Sequence, residues 1–436
     1  MATENGCLLP EDVIIEILSL LPVKTLLQFK CVCKSWYGII TSSNFISLHL
    51  NNHYNNIKSG HLLAHFVYPQ LLELFQDESL TDLSHQELDA PIRGRLCGRL
   101  CGPCNGIFYV DSEDSSGSGL WNPATKEFKL LPEKIRNKSS LPLYYDDSYG
   151  FGFDPVTNDY KVVVIRESYT REYYLEMFSS SLVIVYTLRT DSWRCWGSLD
   201  QGYTLADNFC YTNVDGVSYW RASHGVHRNV ILSFNMATEA FQEIQEPDYD
   251  KPAHSTLILY HDSIAFSTVH DIEKFLDIWV LNEGCWIRQF KSRPLLEVQN
   301  PVAHWKNGNV ILDCETDQLM LYDTNKQELK DLRFKGTGVC HEILVYRESL
   351  NEGPSVHFDV PQFNGDDFLG VNVSCVYSSL RDDFVENCSV KFVNYSKGFR
   401  RTIILAIPMV QGDNIWKGSL FNETVVSVIQ ERCVCQ

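Results

Sequence analysis

Apolar and polar positions fall into two rhythms along this chain, a dense one over residues 8–45 and a short alternating one over most of the remaining sequence. In the dense stretch Val13, Ile14, Ile15, Ile17, Leu18, Leu20 and Leu21 are apolar, and only Asp12, Glu16 and Ser19 form a polar stripe. Pro10 suits the first position of a helix, and Glu11 and Asp12 suit its first turn, where the dipole favours negative charge. Pro22 ends that helix and opens a second over Val23–Cys31, with Leu26, Leu27 and Phe29 apolar; Trp36, Ile39 and Ile40 mark a third. A helix packing one face needs an apolar arc of about 100°. The first helix is apolar over most of its circumference, in a unit of some 40 residues that is too small to bury it alone. A second polypeptide is expected to cover Ile14, Ile17, Leu18 and Leu21.

Beyond Cys101 the pattern becomes a repeat of hairpins. Asn105-Gly106 precedes Ile107–Val110, Asp215-Gly216 precedes Val217–Trp220, His261-Asp262 precedes Ser263–Phe266, and Asn307-Gly308 precedes Asn309–Leu312. Each reads as a tight turn followed by a strand. A second hairpin comes after each: Trp121-Asn122-Pro123-Ala124-Thr125 then Phe128, Phe234-Asn235-Met236-Ala237-Thr238 then Phe241, Trp279 to Asn282 then Trp286, and Tyr322-Asp323-Thr324-Asn325 then Leu329. Thr187 to Thr190 followed by Trp193 is a further copy. Two hairpins per unit is what a four-stranded propeller blade requires. Residues 46–100 carry mixed helical signals, including Leu71–Phe75, and read as a connector. Residues 351–436 alternate over Gly370–Tyr377, Cys388–Asn394 and Thr402–Ile407, as in a small antiparallel sandwich or an added blade.

Composition narrows the chemistry. The 436 residues are 44% hydrophobic and carry a net charge of −18, which argues against a nucleic-acid or anionic-membrane binder. Lys24, Lys30 and Lys34 nearly balance Glu4, Glu11, Asp12 and Glu16, so almost all the negative charge lies beyond residue 50 and would attract a basic protein. The acidic stretches Asp111–Gly119 and Tyr144–Asp147 read as solvated hairpin loops contributing to that field. No stretch reaches the roughly 18 apolar residues of a membrane helix. The start, Met1–Pro10, lacks the features of a secretory signal. A cytoplasmic location is expected, with the nucleus open, and the 15 cysteines are expected as thiols. Cys97, Cys101 and Cys104 cluster, but structural zinc wants four ligands, so they read as core thiols; His61 and His65, four apart, read as a polar helix face. No nucleophile elbow, phosphate loop, dinucleotide fingerprint or His-Glu-x-x-His is present. No catalytic residue, cofactor or metal is therefore assigned.

Leu8-Leu9-Pro10-Glu11-Asp12-Val13, Leu21-Pro22-Val23-Lys24 and Phe29-Lys30-Cys31-Val32-Cys33-Lys34-Ser35-Trp36 resemble the F-box of plant F-box proteins, with Cys33 standing where Ser is common. Trp121 to Thr125, Tyr149-Gly150-Phe151-Gly152-Phe153-Asp154-Pro155 and Asn158 to Val163 resemble the F-box-associated domain of the same proteins. Phe29 to Val32, Trp36-Tyr37, Phe45-Ile46 and Gly150–Val164 are most similar to the S-locus F-box family, the pollen determinants of self-incompatibility.

The resemblance covers roughly residues 8–348 and implies a mainly β protein with an N-terminal three-helix F-box over 1–50 and a propeller-like β domain over 101–348; the connector over 51–100 and a C-terminal β extension over 349–436, which the family typically lacks, are read from the residue pattern alone. It further implies a non-catalytic substrate-recognition subunit of a Skp-cullin-F-box ubiquitin ligase. The Skp-type adaptor would be bound by Leu9, Pro10, Val13, Ile14, Ile17, Leu18, Leu21, Pro22, Val23, Leu26, Phe29, Val32 and Trp36. A cullin and a RING subunit would join through the adaptor, and the target would be a non-self, basic S-ribonuclease. Two other readings stay open: an F-box receptor for an unrelated protein in stress or hormone responses, and a propeller sensing a small molecule or glycan through a Trp/Tyr-lined pocket.

Overall fold

The computed structural model describes residues 10–351, apart from 56–59, 67–70, 76–84, 89–98, 112–116, 136–143, 173–174, 200–201, 207–212, 226–227, 250–252, 261–262, 296–297, 306–307, 315–318 and 333–339, and the backbone of three strands beyond. It divides into two units, Met1–His357 and Phe358–Gln436.

Four helices open the first unit among the described residues: α1 Glu11–Ser19, α2 Val23–Phe29, α3 Lys34–Thr41 and α4 Ser43–Asn55. Pro10 and Pro22 stand one residue before α1 and α2, where their fixed φ of −54° and −59° sets the chain for helix entry. Cys33 caps α3, its Sγ accepting from Trp36 N at 3.5 Å. The fourth helix was not expected. Its apolar stripe is interrupted because polar side chains do core work there: His49 is buried and bonds Leu21 O at 2.9 Å, and Asn52 donates to Ser19 Oγ at 2.9 Å.

The rest of the unit is a ring of six blades. Three run in simple order: β4 Arg99–Cys104, β5 Ile107–Asp111, β6 Ser118–Asn122 and β7 Glu127–Leu130; then β8 Tyr144–Asp154, β9 Asp159–Glu172, β10 Leu175–Thr187 and β11 Ser192–Gly197; and β17 Ala253–Tyr260, β18 Ser263–His270, β19 Leu276–Asn282 and β20 Cys285–Lys291. In the blade between the last two, β12 Tyr203–Leu205 and β13 Asn213–Val214 share the inner edge of β14 Val217–His224, followed by β15 Arg228–Asn235 and β16 Ala240–Gln245. The fifth blade is β21 Val298–Trp305, β22 Asn309–Cys314, β23 Leu319–Asp323 and β24 Glu328–Asp331. The sixth joins β25 Cys340–Tyr346 to β1 His61–Phe66, β2 Leu71–Phe75 and β3 His85–Glu87. Inner strands neighbour one another in the order β4, β8, β14, β17, β21, β25 and back to β4, so the ring is closed.

Two sequence expectations change here. Residues 51–100 are not a connector, since α4 ends in them and β1 to β3 build the closing blade. His61 and His65 lie on a strand, not a helix, opposite Tyr346 and Glu342. Leu62, Leu63 and Ala64 between them are all buried, which is the continuous apolar run of a strand covered on both faces and hides the period of two.

Side chains fix the turns. Asn105-Gly106 and Asp215-Gly216 take positive φ at both residues (51° and 78°, 50° and 75°), as a two-residue hairpin turn requires. In the second hairpins Asn122, Asn235 and Asp323 each accept from the backbone N–H groups two and three residues on. The residue four positions on then turns left-handed: Lys126 at 61°, Glu239 at 55° and Gln327 at 57°. Between blades, Trp220 donates to Tyr149 O at 3.1 Å, and a Cβ on Gly150 would meet its ring at 2.5 Å, which accounts for the glycine in the Tyr149-Gly150-Phe151 signature. Lys161 joins the second blade to the third through Met236 O at 2.6 Å and Glu239 at 2.9 Å, and pairs with Asp154 of its own blade at 2.8 Å. Burial alone would raise the Asp154 carboxyl, yet Lys161, Thr157 and the Val156 N–H hold it down at about 2.

The second unit contains a three-stranded antiparallel sheet, β26 Val371–Val376, β27 Val385–Asn394 and β28 Phe399–Pro408, in sequence order.

Candidate functional site

The helices divide their apolar residues into two adjacent stripes. Ile14, Leu18 and Leu21 of α1 and its exit point inward with Val23, Leu26, Ile39, Ile40 and Phe45. Val13, Ile17 and Leu20, offset by one residue, point outward, with Ile17 49% and Leu20 70% exposed. Val32 is 59% exposed at the α2–α3 joint, beside the Phe29 and Trp36 rings, whose centroids are 5.1 Å apart. Tyr37 and Leu48 are exposed as well.

Of the residues expected to meet an adaptor, Pro10, Val13, Ile17, Pro22 and Val32 are exposed, and Ile14, Leu21, Phe29 and Trp36 are half-buried. Leu18, Val23 and Leu26 are corrected to private core. Each is at most 2% exposed because α4 and Leu350 close over them, partners that the sequence of the three expected helices does not contain. Leu9 lies outside the described residues. Leu20, Tyr37 and Leu48 are exposed apolar residues outside that set; the one-residue offset between the two stripes of α1 is the signal that finds Leu20.

The remaining candidates are structural. Cys101 and Cys104 are buried on β4; the Cys101 thiol faces Tyr149 O at 3.7 Å, and burial pushes the Cys104 thiol up to about 12, so it stays protonated. Cys97 lies outside the described residues, among which no group of three His, Cys, Asp or Glu is placed to hold a metal. Tyr144–Asp147 is the start of β8 rather than a solvated loop. Asp147 accepts from Arg166 at 2.6 and 2.7 Å, while Asp111 accepts from Lys134 and from the Tyr149 hydroxyl, both at 2.7 Å. Two carboxylates expected to attract a basic partner are thus neutralised internally; residues 112–116 of the other acidic stretch are not described.

The two ends of the ring differ. Helix-core residues touch Ala124 in the β6–β7 turn and Leu350 after β25, so the helices sit on the end carrying the tight β4–β5 and β6–β7 turns. In an antiparallel meander the alternate connections emerge at the opposite end. There β9 and β10 run 14 and 13 residues against 5 for β5 and β6, which carries the β9–β10 ribbon about 25 Å further out.

Residues 7–48 match the F-box domain and residues 58–351 match the F-box associated beta propeller domain. The chain belongs to this family of F-box proteins. The F-box match covers α1 to α3 and the outward stripe, and the propeller match begins before β1 and ends at Asn351, enclosing all six blades. Among relatives, F-box/kelch-repeat protein At3g23880 of Arabidopsis thaliana is 28% identical across 78% of this chain and 95% of its own length. F-box protein At3g07870 of the same plant is 25% identical across 81% of this chain and 93% of its own length. The match to F-box protein At3g16210, also of Arabidopsis thaliana and 28% identical, takes in 57% of this chain and 63% of that protein. Among solved structures, one from the nidogen/laminin complex aligns with a TM-score of 0.40 at 12% identity, covering 66% of this chain and 99% of that one. Among the described residues no helix is long and apolar enough to cross a membrane.

Proposed function

We propose that this F-box protein is the target-receiving subunit of a Skp-cullin-F-box ubiquitin ligase, working in the cytoplasm. The observation that carries the reading is the outward stripe Val13, Ile17 and Leu20 with Val32, apolar surface left open on a helical module fixed to one end of a closed ring. Pro10, Ile14, Leu21, Pro22, Phe29 and Trp36 frame it, and a Skp-type adaptor would cover it, bringing in a cullin and a RING subunit. The chain makes and breaks no bond. It holds a target near the activated thioester, which replaces a bimolecular encounter with a high effective concentration of target lysines. The free end of the ring, with the β9–β10 ribbon, is where a target would be received.

The finer reading is a basic S-ribonuclease as target. It is supported by the sequence likeness to S-locus F-box proteins and by the net charge of −18, almost all of it beyond the helices. Such attraction acts over about a Debye length and weakens as salt rises. A glycan or small-molecule sensor would instead present Trp and Tyr in a concave pocket, whereas Trp121, Trp220 and Trp305 are packed inside the ring.

Affinity capture from pollen-pistil extracts and from leaf, using the full chain and its Ile17→Asp/Val32→Asp variant, tests the proposal. The variant is expected to lose the adaptor and keep the target, with a basic ribonuclease recovered from pollen-pistil extracts alone. Equal adaptor recovery with both baits would overturn the docking assignment; an acidic or absent pollen target would overturn the ribonuclease reading.

A further inference from the structure

The segment after the ring-closing strand is neither a tail nor a linker. Tyr346, the last residue of β25, accepts from Ala124 N at 3.1 Å through its hydroxyl. Ser349 is fully buried and donates to Asn105 O at 2.6 Å, and Asn351 Nδ2 donates to the same carbonyl at 3.0 Å. The Asn122 amide donates to Ser349 O at 3.0 Å and to Asn351 O at 2.7 Å. A Cβ on Gly106 would meet Ser349 Cβ at 2.7 Å, so the segment lies directly on the β4–β5 turn. Held between two turns of the first blade, it delivers Leu350, 1% exposed, into the core formed by Leu18, Val23, Leu26, Ile39, Ile40 and Phe45. Burial raises the neighbouring Glu348 carboxyl, with Lys24 of α2 opposing the shift.

We infer that Arg347–Asn351 is a clasp through which closure of the propeller completes the F-box: the helices reach their full stability, and so hold the outward stripe in its docking shape, only when β25 has paired with β1. Leu350 is a core residue of the helical module that the chain supplies some 300 residues after α4, from the far side of the ring closure. Asn122 serves both parts at once, since its Oδ1 caps the β6–β7 turn while its Nδ2 holds the clasp. The consequence for the adaptor rests on the docking role proposed above; the dependence of the helices on the clasp does not. A receptor whose ring has not closed would thereby be kept from recruiting the ligase.

The test is amide hydrogen exchange on the full chain, alongside titration with purified Skp-type adaptor. Leu350→Ala removes the plug. Asn122→Asp keeps the turn-capping oxygen but replaces the donor with an anion facing two carbonyls, and Asn235→Asp makes the same change in the equivalent turn two blades along. In the first two variants the α1 to α4 amides are expected to exchange about tenfold faster or more, with β9 and β15 unchanged, and adaptor affinity is expected to fall by a similar factor. Asn235→Asp is expected to leave the helices as in the wild type. Wild-type exchange of the helices in both clasp variants would overturn the inference, as would loosened helices with undiminished adaptor affinity. If the wild-type chain itself failed to bind the adaptor, the docking role would fall, and the exchange data would still decide whether the clasp holds the helices.

Discussion

Ile17 and Leu18 are neighbours in sequence with opposite duties, and two substitutions separate them. Ile17→Asp is expected to abolish adaptor capture while leaving the thermal midpoint within a degree or two, since the side chain is 49% exposed. Leu18→Ala is expected to cost about 2–5 kcal/mol of stability, because the side chain is 2% exposed and surrounded by packed apolar groups. Sequence alone placed both on one surface. An all-round apolar helix announces an excess of oily surface, but which stripe is surplus depends on α4 and Leu350, whose contribution is a matter of long-range folding. A second residue-scale outcome concerns Glu167, which faces Asp146 across β8 and β9. Burial pushes its carboxyl up to about 7, opposed by the Leu205 N–H and assisted by the Asp146 charge. The fold therefore prefers the protonated form: no penalty exists below about 4.5, where the unfolded chain is protonated too, and the full penalty applies above about 7. Glu167→Gln, which retains the acceptor for Leu205, is expected to stabilise the chain by roughly 1–2 kcal/mol at pH 8, with the gain fading as pH falls towards 4.5, in denaturant titrations at both pH values.

At the scale of elements, turn chemistry was the most legible part of the fold. Asn-Gly and Asp-Gly can take positive φ at both central residues, and Asn or Asp at the head of the second hairpins supplies a side-chain oxygen to cap it, so these positions declare themselves locally. Trp279 to Asn282 deviates: a two-residue turn through Glu283 and Gly284, both at positive φ, replaces the capped four-residue form. What stayed hidden were elements whose identity is settled by distant partners. β1 carries no alternation because both its faces are covered, and α4 spends His49 on Leu21, two residues past α1, and Asn52 on Ser19 at its end. Gly106→Ala is expected to be far more disruptive than an ordinary turn substitution. It combines a φ of +78° with a clash at 2.7 Å against Ser349, and differential scanning calorimetry should show a loss of at least about 2 kcal/mol.

For the whole molecule, the repeat spacing pointed to blades, while their number and the closing of the ring could not be read from it. The closing blade takes one strand from the far end of the domain and three from its start, and the sequence joining those three lacks the turn dipeptides that mark the other blades, so the repeat reads as beginning at Cys101 when it begins at His61. The outward apolar stripe was legible as a need for a partner; the free end of the ring, proposed above to receive the target, became visible only when the helices were seen to occupy the other. The charge balance bears on that free end. Target binding there is expected to weaken several-fold between about 50 and 300 mM salt, measured by calorimetry with a basic ribonuclease, while adaptor binding through the apolar stripe changes little.

The sixth blade also sets a timetable. β1 emerges from the ribosome with its inner edge bare, and its partner β25 arrives only after everything between Phe66 and Cys340 has been made. At ordinary elongation speeds that gap lasts about 15 to 55 seconds. Throughout it, Leu62 to Ala64 form an open, oily template for any passing strand, so newborn chains should lean on a chaperone until their last blade is zipped.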